Sequence, residues 1–139
     1  MFEIAYASGA KPYRVLGHDS RLSQVIVNLL DNAISFSPPG GRVAVLVRRI
    51  GPEIQIAVED EGPGIPSENL ERIFERFYTD RPQENFGQNS GLGLNISRQI
   101  VMTHGGSLYA ENRPPSGMWR GKGDGKSGGA RFVIRLPAT

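Results

Sequence analysis

Two asparagines lie one helical turn apart, at Asn28 and Asn32, within a segment of helical periodicity at residues 24–36. Residues four apart on a helix share a face, so the two carboxamides are expected to point the same way. Mg²⁺ takes oxygen ligands and is usually held by one or two protein oxygens together with substrate phosphates. The amide pair could supply such ligands without adding negative charge beside a phosphate chain. A solvated helix face is the alternative interpretation of the same pair.

Two glycine-rich turns follow, at residues 60–65 and 90–94. Gly62 and Gly64 leave room for a flat ring or a phosphate to approach the backbone, because glycine has no Cβ. Gly91 and Gly93 lie where a helix is expected to begin, and the free N–H groups of a helix start bind anions well. Together the two turns could hold the two ends of one nucleotide, although either alone is weak support.

Asp60 comes directly after a predicted strand. A carboxylate in that place could accept a hydrogen bond from an exocyclic amine, and burial without such a partner would be costly. That chemistry selects adenine over guanine. The alternative is an aspartate that simply begins a tight turn.

Composition predicts an ordinary globular chain. Its 139 residues, 38% of them hydrophobic, suit a single domain over residues 1–139 with a real core. The absence of cysteine excludes disulfides and thiolate metal sites. No apolar run approaches the length that a bilayer requires, so we expect no direct membrane insertion. Residues 113–139 carry six basic side chains and one acidic one. We expect their glycine-dense part, residues 117–129, to be a solvated loop without a nucleic-acid partner.

The predicted elements give the order β-β-α-β-β-α-α-β-β. Strands are expected at residues 2–7 and 13–16, followed by a helix with Asp19 as its N-cap that ends before Pro38. A hairpin joins residues 42–48 to residues 53–59. The remaining elements are a short helix over 67–76, a loop over 78–89, a helix from a Ser90 cap to His104, and strands at 107–111 and 130–136. This pattern predicts an α+β fold with helices layered on a mixed sheet.

Four blocks of the chain resemble the motifs of one family, the ATP-binding catalytic domain of bacterial sensor histidine kinases. Residues 28–33 resemble its N box and residues 60–65 its G1 box. Residues 73–78 resemble the F box, and residues 90–94 with 104–106 the G2 region. The resemblance covers nearly the whole chain. It implies a Bergerat-fold two-layer α/β sandwich, a mixed β-sheet covered on one face by three helices, with the loop between the F and G2 boxes as a lid over ATP.

The resemblance also implies roles for single residues. Asn32 would ligate Mg²⁺, and Asn28 would support the metal and the phosphates. Asp60 would read the adenine amine and Phe36 would flank the base, while the backbone of residues 91–94 would meet the phosphates. The full implied nucleotide-binding set is Asn28, Asn32, Phe36, Asp60, Gly62, Gly64, Ile65, Tyr78, Arg81, Ser90, Gly91, Leu92, Gly93 and Leu94, with Asn28 and Asn32 also as metal ligands.

The chain departs from the family pattern at Ser35, where the family usually has a lysine. Arg81 and Arg98 are candidates to replace that cation, although Arg98 is equally well interpreted as a surface residue of its helix. We interpret Phe74 and Phe77 as packing residues that steady the lid rather than as ligand contacts.

Neither histidine lies in the sequence context of the family's phosphoacceptor, and His104 is interpreted as part of a helix terminus. We therefore expect a fragment that lacks the dimerisation, phosphoacceptor and sensor domains.

The hypothesis from the sequence is a domain that binds ATP with Mg²⁺ and supplies the γ-phosphate to a histidine on the dimerisation domain of a parent sensor kinase. Alone it should turn over little or nothing. A response regulator would be an indirect partner, and the domain would be cytoplasmic in a parent of the bacterial inner membrane. The alternatives are an anti-sigma-factor-type serine kinase and a catalytically inactive nucleotide-sensing module.

Overall fold

The computed structural model describes residues 2–6, by their backbone, and residues 15–75, 93–113 and 129–138. Its strands are β1 (Phe2–Tyr6), β2 (Val43–Ile50), β3 (Glu53–Glu59), β4 (Ser107–Asn112) and β5 (Ala130–Pro137). Its α-helices are α1 (Asp19–Phe36) and α2 (Gly93–Thr103), and two short 3₁₀ turns cover Ser67–Asn69 and Arg72–Phe74.

The strands form one mixed sheet in the order β1-β2-β3-β5-β4. The edge strand β1 runs parallel to β2, and the other neighbours are antiparallel. The predicted hairpin of β2 and β3 turns at Gly51, whose φ of 57° is readily adopted by glycine. The register places Glu59 of β3 opposite Arg131 of β5.

Helix α1 forms as its periodicity predicts. Val25, Leu29 and Ala33 are buried against the sheet. The N-cap, however, is His18 rather than Asp19, which lies in the first helical turn, where a negative charge suits the helix dipole. The helix ends at Phe36 because Pro38 follows Ser37, and the residue before a proline is driven into extended backbone.

The core lies between the sheet and the two helices. Helix α1 packs on β2 and β3, and α2 packs on β4 and β5. The largest fully buried apolar side chains in the described part of the chain are Phe132, Leu29, Leu108, Ile134, Val25, Val58 and Val101. This arrangement confirms the predicted layering of helices on one mixed sheet.

Two predicted elements differ. Val15 and Leu16 of the expected second strand have no regular structure, and residues 13 and 14 lie outside the described residues. The short helix expected from Ser67 forms two 3₁₀ turns instead. The carbonyl of Phe74, at the end of the second turn, accepts a hydrogen bond from Asn95 Nδ2 at 3.0 Å.

Candidate functional site

Asn28 joins the two helices at the predicted metal site. Its Nδ2 donates to Ser97 Oγ at 3.1 Å and lies 3.5 Å from the carbonyl oxygen of Gly93, the first residue of α2. Asn28 is half-buried and Ser97 is fully buried. Asn32, one turn later, is also half-buried. The structure therefore brings the asparagine-bearing helix against the start of the helix that follows the second glycine-rich turn.

Asp60 lies at the exit of β3 and is 1% exposed. Its Oδ1 accepts hydrogen bonds from the amides of Gly62, at 2.8 Å, and Ala130, at 3.2 Å. Its Oδ2 is also buried and has no hydrogen-bond partner among the residues that the structure describes. Burial raises the pKa of this carboxyl, while the two amides and the charge of Arg113 oppose that rise. A buried acceptor in this state is stabilised by a ligand that donates a hydrogen bond.

The turn after Asp60 packs against the end of α1. A Cβ at Gly62 would lie 2.6 Å from the carbonyl oxygen of Phe36, so only glycine fits there without a shift. Gly64 has a φ of 85°, which again favours glycine. The two glycines that the sequence suggested for ligand approach are therefore also required by the turn itself.

Comparisons with known proteins identify the family of the chain. Residues 17–139 match the family model of histidine kinase-, DNA gyrase B-, and HSP90-like ATPases. The chain belongs to this family. Sensor protein ChvG of Rhizobium meliloti (strain 1021) is 55% identical over 126 residues, which are 89% of this chain and 21% of that protein. The chain thus spans about a fifth of the length of that curated relative.

Solved structures show the same family fold. The mycobacterial sensor histidine kinase MprB matches with a TM-score of 0.78 at 36% identity, over 98% of this chain and 80% of that chain. The structure of full-length ShkA in complex with AMPPNP matches with a TM-score of 0.72 at 27% identity, over 98% of this chain and 25% of that one. The resemblance and the fold class inferred from the sequence are confirmed.

Sequence reasoning missed two residues that hold the turn after Asp60. Asn112 ends β4, and Arg113 follows it directly. The side chain of Asn112 accepts from the amide of Ile65 and donates to its carbonyl oxygen, both at 2.7 Å. Arg113 Nη1 donates to the carbonyl oxygen of Asp60 at 2.9 Å. The turn over residues 60–65 is thus held at its beginning and at its end by neighbouring residues. The available signal was a polar Asn-Arg pair at the end of a strand.

A charged network lies beneath Asp60. Arg131 Nε is 2.6 Å from Glu59 Oε2, and Arg131 Nη1 is 2.7 Å from Glu111 Oε2. Arg113 Nε is 3.3 Å from Glu59 Oε1. Burial raises the pKa of Glu59, and the hydrogen bond and charge of Arg131, with the charge of Arg113, oppose that rise. Two arginines balance two glutamates, so the cluster carries no formal net charge.

Phe74 is a core residue. It is 3% exposed and meets Phe132 edge to face, with ring centroids 6.3 Å apart. The guanidinium of Arg98 lies 4.4 Å from the centroid of the Phe74 ring and forms two hydrogen bonds to Glu71, at 3.0 and 3.1 Å. The packing interpretation of Phe74 is confirmed, and the contacts of Arg98 agree with its interpretation as a surface helix residue.

The start of α2 holds the described part of the second turn. Gly93 begins the helix, and Leu94 is half-buried against the core. A Cβ at Gly93 would lie 3.9 Å from Asn28 Cγ, an ordinary contact. Several predicted site residues lie outside the described residues, namely Tyr78, Arg81, Ser90, Gly91 and Leu92, as do Phe77 and the loops at 78–89 and 117–128.

His104 lies directly after α2, as predicted. Its Nδ1 is 2.7 Å from the carbonyl oxygen of Ile100, and its Nε2 accepts from the amide of His18 at 3.1 Å. Both histidines therefore take part in the contact between the start of α1 and the end of α2.

Within the described ranges, no three residues of the histidine, aspartate and glutamate types come together to hold a metal ion. None of the described helices is long and apolar enough to cross a membrane.

Proposed function

We propose that this chain binds ATP with Mg²⁺ and supplies the γ-phosphate for transfer to a histidine on the dimerisation domain of a parent sensor kinase. The observation that carries the proposal is the buried Asp60 Oδ2, which lacks a hydrogen-bond partner within the described structure. The family match and the similarity to sensor kinases support it. The AMPPNP complex of the structural neighbour ShkA gives further support.

The adenine base fits the chemistry at Asp60. The 6-amino group of adenine donates hydrogen bonds, and an ionised carboxylate accepts them. Guanine carries a carbonyl oxygen at the same place, which would face Asp60 Oδ2 with like partial charge. Because Oδ1 is already occupied by Gly62 and Ala130, Oδ2 is the atom that remains to read the base.

Asn28 and Asn32 suit Mg²⁺ by their donor type. Both present amide oxygens, which are hard ligands, and both are half-buried on one face of α1. The nitrogen of Asn28 is directed to Gly93 and Ser97, so a metal contact of this side chain would use its oxygen. Mg²⁺ would supply charge neutralisation of the phosphates when bound, and the phosphates would complete its oxygen ligands.

Catalysis by such a domain is positioning and charge stabilisation. The turn at residues 60–65 holds the base, and the region from Gly93 and Leu94 lies across from Asn28 and would face the phosphates. His18 and His104 are engaged with each other's helix ends, so the acceptor histidine is assigned to the phosphoacceptor domain of the parent protein. A response regulator would receive the phosphoryl group afterwards. We assign this domain to the cytoplasmic side of an inner-membrane parent, with little turnover on its own.

Phosphotransfer in trans tests the proposal. The chain is mixed with labelled ATP, Mg²⁺ and the phosphoacceptor domain of its parent, and the acceptor is then treated with acid. Acid-labile label on that domain is expected, because phosphohistidine is hydrolysed in acid. Acid-stable label would indicate a serine kinase, and ATP binding with an unlabelled competent acceptor would indicate a nucleotide-sensing module. Asn32→Asp should alter the metal dependence of ATP binding without unfolding the domain, with exposed Asp31→Asn on the same helix as control.

A further inference from the structure

We propose that Arg113 is a positioning residue for adenine recognition, a role that rests on the function proposed above. Its guanidinium fixes the main chain of Asp60 and thereby aims Oδ2 of that carboxylate at the base. Arg113 would not touch the nucleotide itself. It would determine how strongly the site distinguishes adenine from a purine that lacks the 6-amino group.

The contacts of Asp60 leave its carboxylate little freedom. Arg113 Nη1 donates to the Asp60 carbonyl oxygen at 2.9 Å, and the Asp60 amide donates to the carbonyl oxygen of Ala130 at 3.0 Å. Both main-chain polar groups are therefore held, while Oδ1 is held by the amides of Gly62 and Ala130. A shift of the main chain would move Oδ2 with it.

Arg113 is itself firmly placed. It is 4% exposed, and its own amide donates to the carbonyl oxygen of Gly129 at 2.8 Å. Its guanidinium lies beside Glu59, which is held in turn by Arg131. A buried arginine without a counter-charge would be costly, so this chain of charges fixes the guanidinium in position.

Gly129 provides an independent observation, because it packs closely against the same carbonyl group of Asp60. A Cβ at Gly129 would collide with that carbonyl oxygen, and the residue has a φ of 113°. The chain therefore has glycine at the point of closest approach, with Arg113 donating to the same oxygen. A side chain at position 129 would force the main chain at Asp60 or at position 129 to shift.

Arg113 also acts on the charge of Asp60. The charged groups around Asp60 are Arg113 after β4, Glu59 and Glu61 on either side in the sequence, and Arg131 beyond Glu59. Burial raises the pKa of Asp60, and the positive charge of Arg113 opposes the rise. Loss of the arginine would therefore both loosen the carboxylate and favour its neutral form, which is the weaker acceptor.

The test compares binding of ATP and of inosine triphosphate, which has a carbonyl in place of the 6-amino group. The dissociation constants of both are measured by calorimetry for the wild type, Arg113→Met and Arg135→Met, in variants shown to be folded by circular dichroism. Arg135 is the control, because it is an arginine of β5 whose ion pair runs to Glu53, with both side chains more than 40% exposed and neither in the network around Glu59. We expect Arg113→Met to lower the preference for ATP about tenfold, and Arg135→Met to keep it.

Two further variants keep the test decisive if Arg113→Met does not fold. Arg113→Lys retains the buried charge, but a single ammonium cannot reproduce the contacts with both Glu59 and the Asp60 carbonyl, so the preference should again fall. Gly129→Ala should also lower the preference for ATP, because its Cβ would collide with the same carbonyl oxygen of Asp60. A wild-type preference in any folded variant at position 113 overturns the role of Arg113. A wild type that binds both nucleotides equally overturns the adenine assignment instead.

Discussion

The side chain of Asn112 holds the backbone of Ile65 through two hydrogen bonds of 2.7 Å, one accepted from its amide and one donated to its carbonyl oxygen. The carboxamide thus makes the two main-chain hydrogen bonds that a neighbouring strand would make with Ile65. The pair connects residues 47 positions apart and anchors the end of the turn that Asp60 begins.

Removal of this amide should loosen the turn. Asn112→Ala leaves the amide and carbonyl of Ile65 to find new partners, and we expect a loss of about 1–3 kcal/mol in the free energy of unfolding. Urea denaturation measures it, with Gln24→Ala on the exposed face of α1 as the control of unchanged stability. An equally small effect in both variants would contradict the anchoring role.

The buried ion pair and an exposed one on the same strand should differ in their effect on stability. Arg131→Met leaves Glu59 buried beside one fewer cation, and breaking a buried pair typically costs about 3–5 kcal/mol. Arg135 lies 3.7 Å from Glu53, with both side chains more than 40% exposed, so Arg135→Met should change stability by less than about 1 kcal/mol. Thermal or urea unfolding of the two variants checks the order, and a larger loss for Arg135→Met would contradict it.

Two glycine substitutions should separate the fold from the ligand site. Gly62→Ala places a Cβ 2.6 Å from the carbonyl oxygen of Phe36, so it should destabilise the domain. Gly93→Ala meets ordinary contact only and replaces a helical glycine, so the domain should stay as stable or gain up to about 1 kcal/mol. If the backbone at Gly93 meets phosphate, ATP affinity should nevertheless fall. Unchanged affinity in Gly93→Ala would remove that residue from the site.

Acidification should weaken ATP binding through Asp60. Burial raises the pKa of Asp60 above its usual value of 3.8, and the proposed contact with the adenine amine needs the ionised form. Affinity should therefore fall as the pH drops through the raised pKa. The effect of the same group on stability has the opposite sign, since its contribution is fully present below 3.8 and is lost as the pH rises through the raised value.

Calorimetry at a series of pH values, from neutral pH down through the raised pKa of Asp60, measures the change in ATP affinity. Because the triphosphate titrates too, Asp60→Asn serves as the baseline. The wild type should show the steeper loss, and parallel curves would rule out a contribution from Asp60.

The sequence was sufficient to predict helix α1 and the hairpin of β2 and β3, because apolar spacing and turn residues are local properties. The helical spacing of Val25, Leu29 and Ala33 predicts the buried face of α1, and Gly51 predicts the turn of the hairpin. The two 3₁₀ turns at residues 67–74 were not predictable in this way, because a short helical pattern does not distinguish i→i+3 from i→i+4 hydrogen bonds.

In the candidate site, too, residues with a local sequence signal were predicted and residues with distant partners were not. Asp60 could be selected as a candidate from its place between a strand and two glycines, and the structure adds that its Oδ2 is buried. Asn112 and Arg113 were missed because their partners are 47 and 53 residues away, and nothing in the local pattern distinguishes them from ordinary strand-end residues. The type of a side chain does not reveal that it hydrogen-bonds to a main-chain atom far away in the sequence.

The most direct test of adenine recognition is the ATP affinity of Asp60→Asn measured by calorimetry in the presence of Mg²⁺. The substitution can keep an oxygen for the amides of Gly62 and Ala130 but puts a donor where the adenine amine would donate. The expected result is at least tenfold weaker binding than in the wild type, with exposed Asp31→Asn unchanged. Equal affinity of wild type and Asp60→Asn would contradict the assignment of Asp60 as the residue that reads the base.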